Sequence, residues 1–85
     1  MTSLKINLTN GDEVIAKITP AIEYAFEQHA GKGFYKAIVD DGKQSDVYWI
    51  AWRCLVAKGH DVKTFGVAFL DTLESVEVVD DSPKE

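Results

Sequence analysis

The sequence has little of what proteins use for chemistry. Its 85 residues include one cysteine and two histidines. A single thiol, Cys54, cannot form an internal disulfide, so nothing in the chain calls for an oxidising compartment. His29, His60 and Cys54 stand at no metal-ligand spacing to one another, so no metal site is expected. No apolar run approaches the roughly 20 residues that a membrane-spanning helix needs. The opening MTSLKINLTNGD lacks the basic region and continuous apolar core of a secretory signal. The chain is therefore expected to be a cytoplasmic protein with no membrane association.

Positive charge is also scarce, and its distribution matters more than its total. Residues 1–70 carry eight acids and eight Lys or Arg. The net charge of −5 comes entirely from residues 71–85, where six acids (Asp71, Glu74, Glu77, Asp80, Asp81, Glu85) face only Lys84. A neutral body with an acidic end has no basic patch with which to bind nucleic acid. The acidic end itself reads as a solvated terminus that aids solubility.

What is present is an ordinary globular composition, 46% hydrophobic and 27% charged, in a chain long enough for one domain. Leu4, Ile6 and Leu8 alternate with polar residues, as do Val14, Ala16 and Ile18, with Asn10-Gly11 between. The period and the turn dipeptide predict a β-hairpin over 3–9 and 13–19, turning where both Asn and Gly tolerate positive φ. Thr19-Pro20 predicts a helix start, with Ile22, Ala25 and Phe26 on its apolar side and Gly31 at its end. A short helix over 34–40 follows, stopped by Asp41-Gly42. Gln44 or Ser45 is expected to precede the strongest helix, 46–58, whose apolar side chains cover almost its whole circumference. Thr64 is expected to cap a helix over 65–72, weakened by Gly66. The valine-rich 75–80 returns to strand, and 81–85 is expected to be a flexible acidic end. The resulting fold class is α+β: residues 1–80 form one domain in which the hairpin and the last strand make a small antiparallel sheet against three or four helices.

A search for catalytic groups finds none. Cys54 falls mid-helix, away from any helix N-terminus or close base that would activate it, and reads as a buried thiol. His29 lies on the apolar side of its helix and reads as a packed residue at the edge of the core; His60 reads as a loop residue. Gly31-Lys32-Gly33 lacks the glycine spacing and the Lys-Ser/Thr pair of a phosphate loop. The paired acids Asp12-Glu13, Asp40-Asp41 and Asp80-Asp81 fall in turns or at the chain end, where acids are common. The sequence thus predicts no enzyme and no cofactor. What stands out is an aromatic surplus: Tyr48, Trp49, Trp52, Phe65 and Phe69. A helix apolar all round is either central to the fold or turned partly to a partner, which makes Tyr48, Trp49 and Trp52 the candidate partner-binding residues.

In order and spacing, FEQHAGKGF (26–34), YWIAWRCLVAKG (48–59) and FGVAFLDTLESVEVVDD (65–81), behind an opening strand pair, resemble the tail assembly chaperones of long-tailed (siphovirus-type) bacteriophages. The likeness covers about residues 4–81 and is closest to the short N-terminal form of such chaperones. It implies a protein of the host bacterial cytoplasm during phage assembly that binds the tape measure protein and keeps it soluble. It implies assistance to tail tube polymerisation, with the tail tube protein recruited through a frameshifted longer form, and absence from the mature virion. Homo-oligomerisation is a further expectation. The runner-up is a structural virion component, such as a head–tail connector or tail completion protein. An acidic inhibitor or nucleic-acid mimic fits less well, because its acids would spread over a face.

Overall fold

The computed structural model describes residues 2–80. Along the chain run β1 (Thr2–Leu8), β2 (Glu13–Lys17), α1 (Pro20–Ala30), a π-helical turn (Lys36–Asp41), α2 (Gln44–Ala57), α3 (Val67–Leu70) and β3 (Leu73–Asp80). The strands form one antiparallel three-stranded sheet in the order β2-β1-β3, so the predicted α+β class holds. The expected acidic end at 81–85 lies outside the described residues.

The period-two pattern places Leu4 and Ile6 of β1 on the helix-covered face, where both are fully buried. Their cross-strand partners are Ala16 and Val14 on β2, and Val78 and Val76 on β3. The opposite face carries Ser3, Lys5, Asn7, Glu13, Ile15, Lys17, Ser75, Glu77 and Val79, of which Ser3 is buried. A register shift between Asn7 and Leu8 interrupts the β1–β3 ladder, and Asn7 Nδ2 donates to Ser75 Oγ at 3.0 Å beside it.

The hairpin turn differs from the expected one. Asn10 keeps a negative φ and Gly11 alone is left-handed, at 97°. Gly11 N–H bonds the Leu8 carbonyl at 3.0 Å and Leu8 N–H bonds that of Asp12 at 2.9 Å, so three residues make the loop. Asn10 spends its side chain instead on Asp12, accepting from its backbone N–H at 2.9 Å. A type I turn followed by a left-handed glycine lets Asn10 stay right-handed.

Helix α1 starts as predicted, with Thr19 Oγ1 accepting from Ile22 N–H and Pro20 in the first turn. It ends where Gly31, at φ 74°, turns its N–H back to Glu27. The Glu27 side chain then accepts the N–H of Phe34 at 2.8 Å and fixes the entry to the next segment. The expected helix over 34–40 widens into the π-helical turn, closed by the Gly42 N–H on Ala37 O at 2.8 Å.

Because Gly42 is left-handed, the chain re-enters helix earlier than expected: α2 runs from Gln44, with Lys43 at its cap and no side-chain cap bond. Its end is a paired closure, Gly59 N–H to Val56 O and His60 N–H to Leu55 O, with Gly59 at φ 87°. The predicted helix over 65–72 contracts to Val67–Leu70, and Thr64 does not cap it. Gly66 resists helical φ/ψ and adopts an extended conformation at the start of α3 instead.

Helix α2 packs on α1, β2, β3 and the π-helical turn. It contributes Val47, Trp49, Ile50, Ala51, Cys54 and Leu55 to the core, against Leu4, Ile6, Ile22, Phe26, Phe34, Ala37 and Phe69. Phe26 is fully buried between α1 and α2, and its ring meets those of Phe34 and Trp49. Phe26→Ala is expected to cost about 3–5 kcal/mol of unfolding free energy. Tyr24→Ala, on the exposed side of the same helix, should stay within about 0.5 kcal/mol. Urea denaturation followed by tryptophan fluorescence measures both.

Candidate functional site

A continuous run of aromatic rings crosses the helical layer. From Tyr35 it passes through Phe34, Phe26, Trp49 and Trp52 to Phe65 and Phe69, with successive centroids 5.8–6.1 Å apart. His29 stacks flat on Trp49 at 4.4 Å and an interplanar angle of 7°. The run exists because Trp49 and Trp52 are three residues apart on α2 and so lie on neighbouring ridges.

The three candidate partner-binding residues take different positions. Trp49 is only 9% exposed and belongs to the core. Trp52 is half-buried, and its indole N–H donates to the Lys63 carbonyl at 2.9 Å. That bond ties the loop after α2 back onto the helix. Tyr48 is half-buried one turn before Trp52, its hydroxyl accepting from Gln44 Nε2 at 3.4 Å. Tyr48 and Trp52 therefore share a ridge that reaches the surface, and Trp49 supports it from below. His29, expected to pack at the core edge, is exposed as a residue, and its ring stacks on core Trp49.

The most exposed aromatics are two that the sequence did not single out. Tyr35 is 69% exposed and Tyr24 65%. Tyr24 was readable: Ile22 and Phe26 fix the buried side of α1, and a residue midway between them points away. Tyr35 was not, because its direction depends on where the π-helical turn begins. Val67 is likewise exposed beside Gly66.

An ionic bridge braces the same layer from outside. Lys32 Nζ lies 3.0 Å from Asp41 Oδ2 and 3.3 Å from Asp46 Oδ2, linking the end of α1, the π-helical turn and the start of α2. Its hydrogen bond with Asp41 raises the Lys32 ammonium above its ordinary pKa, and the same bond lowers the Asp41 carboxyl. The Asp41 contribution is present above the ordinary carboxylate range and is lost as pH falls through its depressed value. The Lys32 contribution is present below the ordinary lysine range and is lost as pH rises through its elevated value. Lys32→Met should thus lower the thermal midpoint at neutral pH, and the deficit should close in strong acid and in strong alkali. Calorimetry of both proteins across pH measures this.

Little among the described residues resembles a catalytic centre. No cluster of three or more potential metal ligands is present among them. No helix among them is long and apolar enough to cross a membrane. Cys54 is buried on α2, and desolvation pushes its thiol up to about 11, away from the thiolate form that reacts. Native protein should therefore react with a thiol reagent at pH 8 at least about tenfold more slowly than urea-unfolded protein, as absorbance of the released chromophore would record. Two open grooves stand out among the described residues. One, of about 440 Å³, lies between the hairpin turn and the loop after α2 and is lined by Thr9, Asn10, Asp61, Val62, Lys63 and Thr72. The other, of about 420 Å³, lies beside β2 and is lined mostly by Ile15, Ala16, Ile22, Cys54, Ala57 and Lys58. The second holds Cys54 and Lys58 together, and burial keeps that thiol protonated despite the Lys58 charge.

Compared with known protein families, with curated proteins and with solved structures, the chain matches none of them.

Proposed function

We propose that the chain is a tail assembly chaperone of a long-tailed bacteriophage, acting in the host cytoplasm by binding and catalysing no reaction. It engages apolar helical segments of the tape measure protein, keeps that long protein soluble and leaves before the virion is finished. In this reading a frameshifted longer product would bring in tail tube subunits. The sequence resemblance over residues 4–81 supports the family.

The structural observation that carries the binding role is the Tyr48–Trp52 ridge. It is a half-buried aromatic surface on the one helix that the rest of the chain is arranged to cover. A holdase needs apolar surface large enough to grip and small enough to release. Half-buried rings held on a rigid helix meet both demands, and many copies on one long client would add avidity. Trp49 serves by supporting Trp52 and stacking with His29.

Co-expression with the tape measure protein of the same genome tests the reading. The tape measure should become soluble with this chain and co-purify with it. Tyr48→Ala and Trp52→His, checked for cooperative unfolding, should each reduce the recovered complex by about tenfold, the loss of one aromatic anchor. If the tape measure remains insoluble while this chain is found in purified virions, the protein is a structural tail or connector part instead.

A further inference from the structure

The three-stranded sheet has two open edges, and they are chemically unlike. On the β1–β2 ladder, Leu8 and Asp12 bond at the turn, so bonding alternates to the pairs Ile6–Val14 and Leu4–Ala16. The N–H and C=O groups of Glu13, Ile15 and Lys17 therefore point outward from the sheet. Among the described residues these groups meet no other backbone, and the side chains of Glu13 and Lys17 have no ionic partner. Ile15 between them is 52% exposed.

The segment Glu13–Lys17, EVIAK, is complementary to itself when run antiparallel. Centred on Ile15, such a pairing sets Ile15 against its own copy and Glu13 against the partner copy's lysine at position 17. The reciprocal ion pair forms at the other end. The same register brings together the very residues whose backbone groups face outward, so hydrogen bonding and side-chain chemistry select one alignment. On the helix-covered face, Val14 would meet the other copy's alanine at position 16 above the groove lined by Ile22, Cys54 and Ala57. The edge of β3 offers no such match. LESVEVVD carries Glu74, Glu77 and Asp80 and no basic residue, so every antiparallel self-pairing lacks an ion pair.

We propose that β2 pairs with β2 of a second copy across a two-fold axis at Ile15, joining two sheets into one six-stranded sheet with the acidic β3 strands at its outer edges. Both helical layers then lie on the same side of the joined sheet, and so do both Tyr48–Trp52 ridges. The pairing does not depend on the chaperone reading, since it rests on β2 alone.

Sedimentation velocity across a concentration series tests it. The wild-type chain should sediment at twice the 9.4 kDa chain mass, falling to the single mass on dilution. Glu13→Lys places like charges at both ends of the pairing and should raise the dimer Kd by about tenfold. Adding Lys17→Glu to it reverses both partners and should restore the wild-type Kd. Val78→Lys, on the β3 edge, should leave the Kd unchanged. Amide exchange at Glu13, Ile15 and Lys17 should slow as concentration rises. A wild-type chain that stays monomeric at millimolar concentration overturns the proposal. So does a Glu13→Lys Kd equal to wild type, a double variant no better than the single one, or a dimer lost with Val78→Lys.

Discussion

The structure depends on covering α2. Its apolar residues leave almost no polar side, so in water the helix would expose hydrophobic surface whichever way it turned. Here the sheet lies on one flank, α1 on another, and the π-helical turn packs at its start. Phe69 and Phe65 close the remaining side, the latter by ring contact with Trp52. With so few elements available the cover is thin. Trp52 and Tyr48 stay half-buried because nothing more remains to lay over them, and the surface proposed for client binding is that shortfall.

The second constraint is the sheet that holds the chain ends together. β1 is the central strand, and its neighbours come from opposite parts of the sequence: β2 directly after it and β3 more than sixty residues later. Leu4 and Ile6 are buried on β1, and completing the sheet beside them requires β3 to return across the helical segments. Loop-closure entropy makes such a distant pairing costly unless the intervening chain is already compact. The β3 ladder is thus coupled to the packing of α2. The charge pattern follows the same geometry. Glu74 and Glu77 lie on the β3 edge, where like charge discourages further strand addition, while the β2 edge carries one acid and one base, Glu13 and Lys17.

Around these two constraints the polar contacts act locally, to fix angles. Glu27 receives the Phe34 N–H, Lys32 joins Asp41 and Asp46, and Trp52 holds the Lys63 carbonyl. Each secures a connection next to α2, where a small rotation would expose or bury an aromatic ring. The rings themselves form one connected run from Tyr35 to Phe69. A ligand or partner touching Trp52 would therefore press on side chains that reach the centre of the fold, and rigidity of the site and stability of the core are coupled.

Local pattern accounts for the strands, the main helices, the α+β class and the buried state of Cys54. Those follow from period-two and period-3.6 patterns and from Gly and Pro signals, all of which act over a few residues. The terminal glycine of α2 and the Thr19-Pro20 start of α1 needed nothing beyond their neighbours. Tertiary structure decided what local rules leave degenerate. An all-round apolar helix has no preferred face in sequence, so only packing could choose that Trp49 turns inward and that Tyr48 and Trp52 reach the surface. Asn10 could have gone left-handed; the three-residue loop matched to the strand register left that to Gly11 alone. Helix 65–72 contracted because Gly66 is free to extend and Phe65 is drawn onto Trp52, a contact thirteen residues away in the chain. Which strands form the edges of the sheet, and which backbone groups point from them, is likewise a property of strand order that no single strand records.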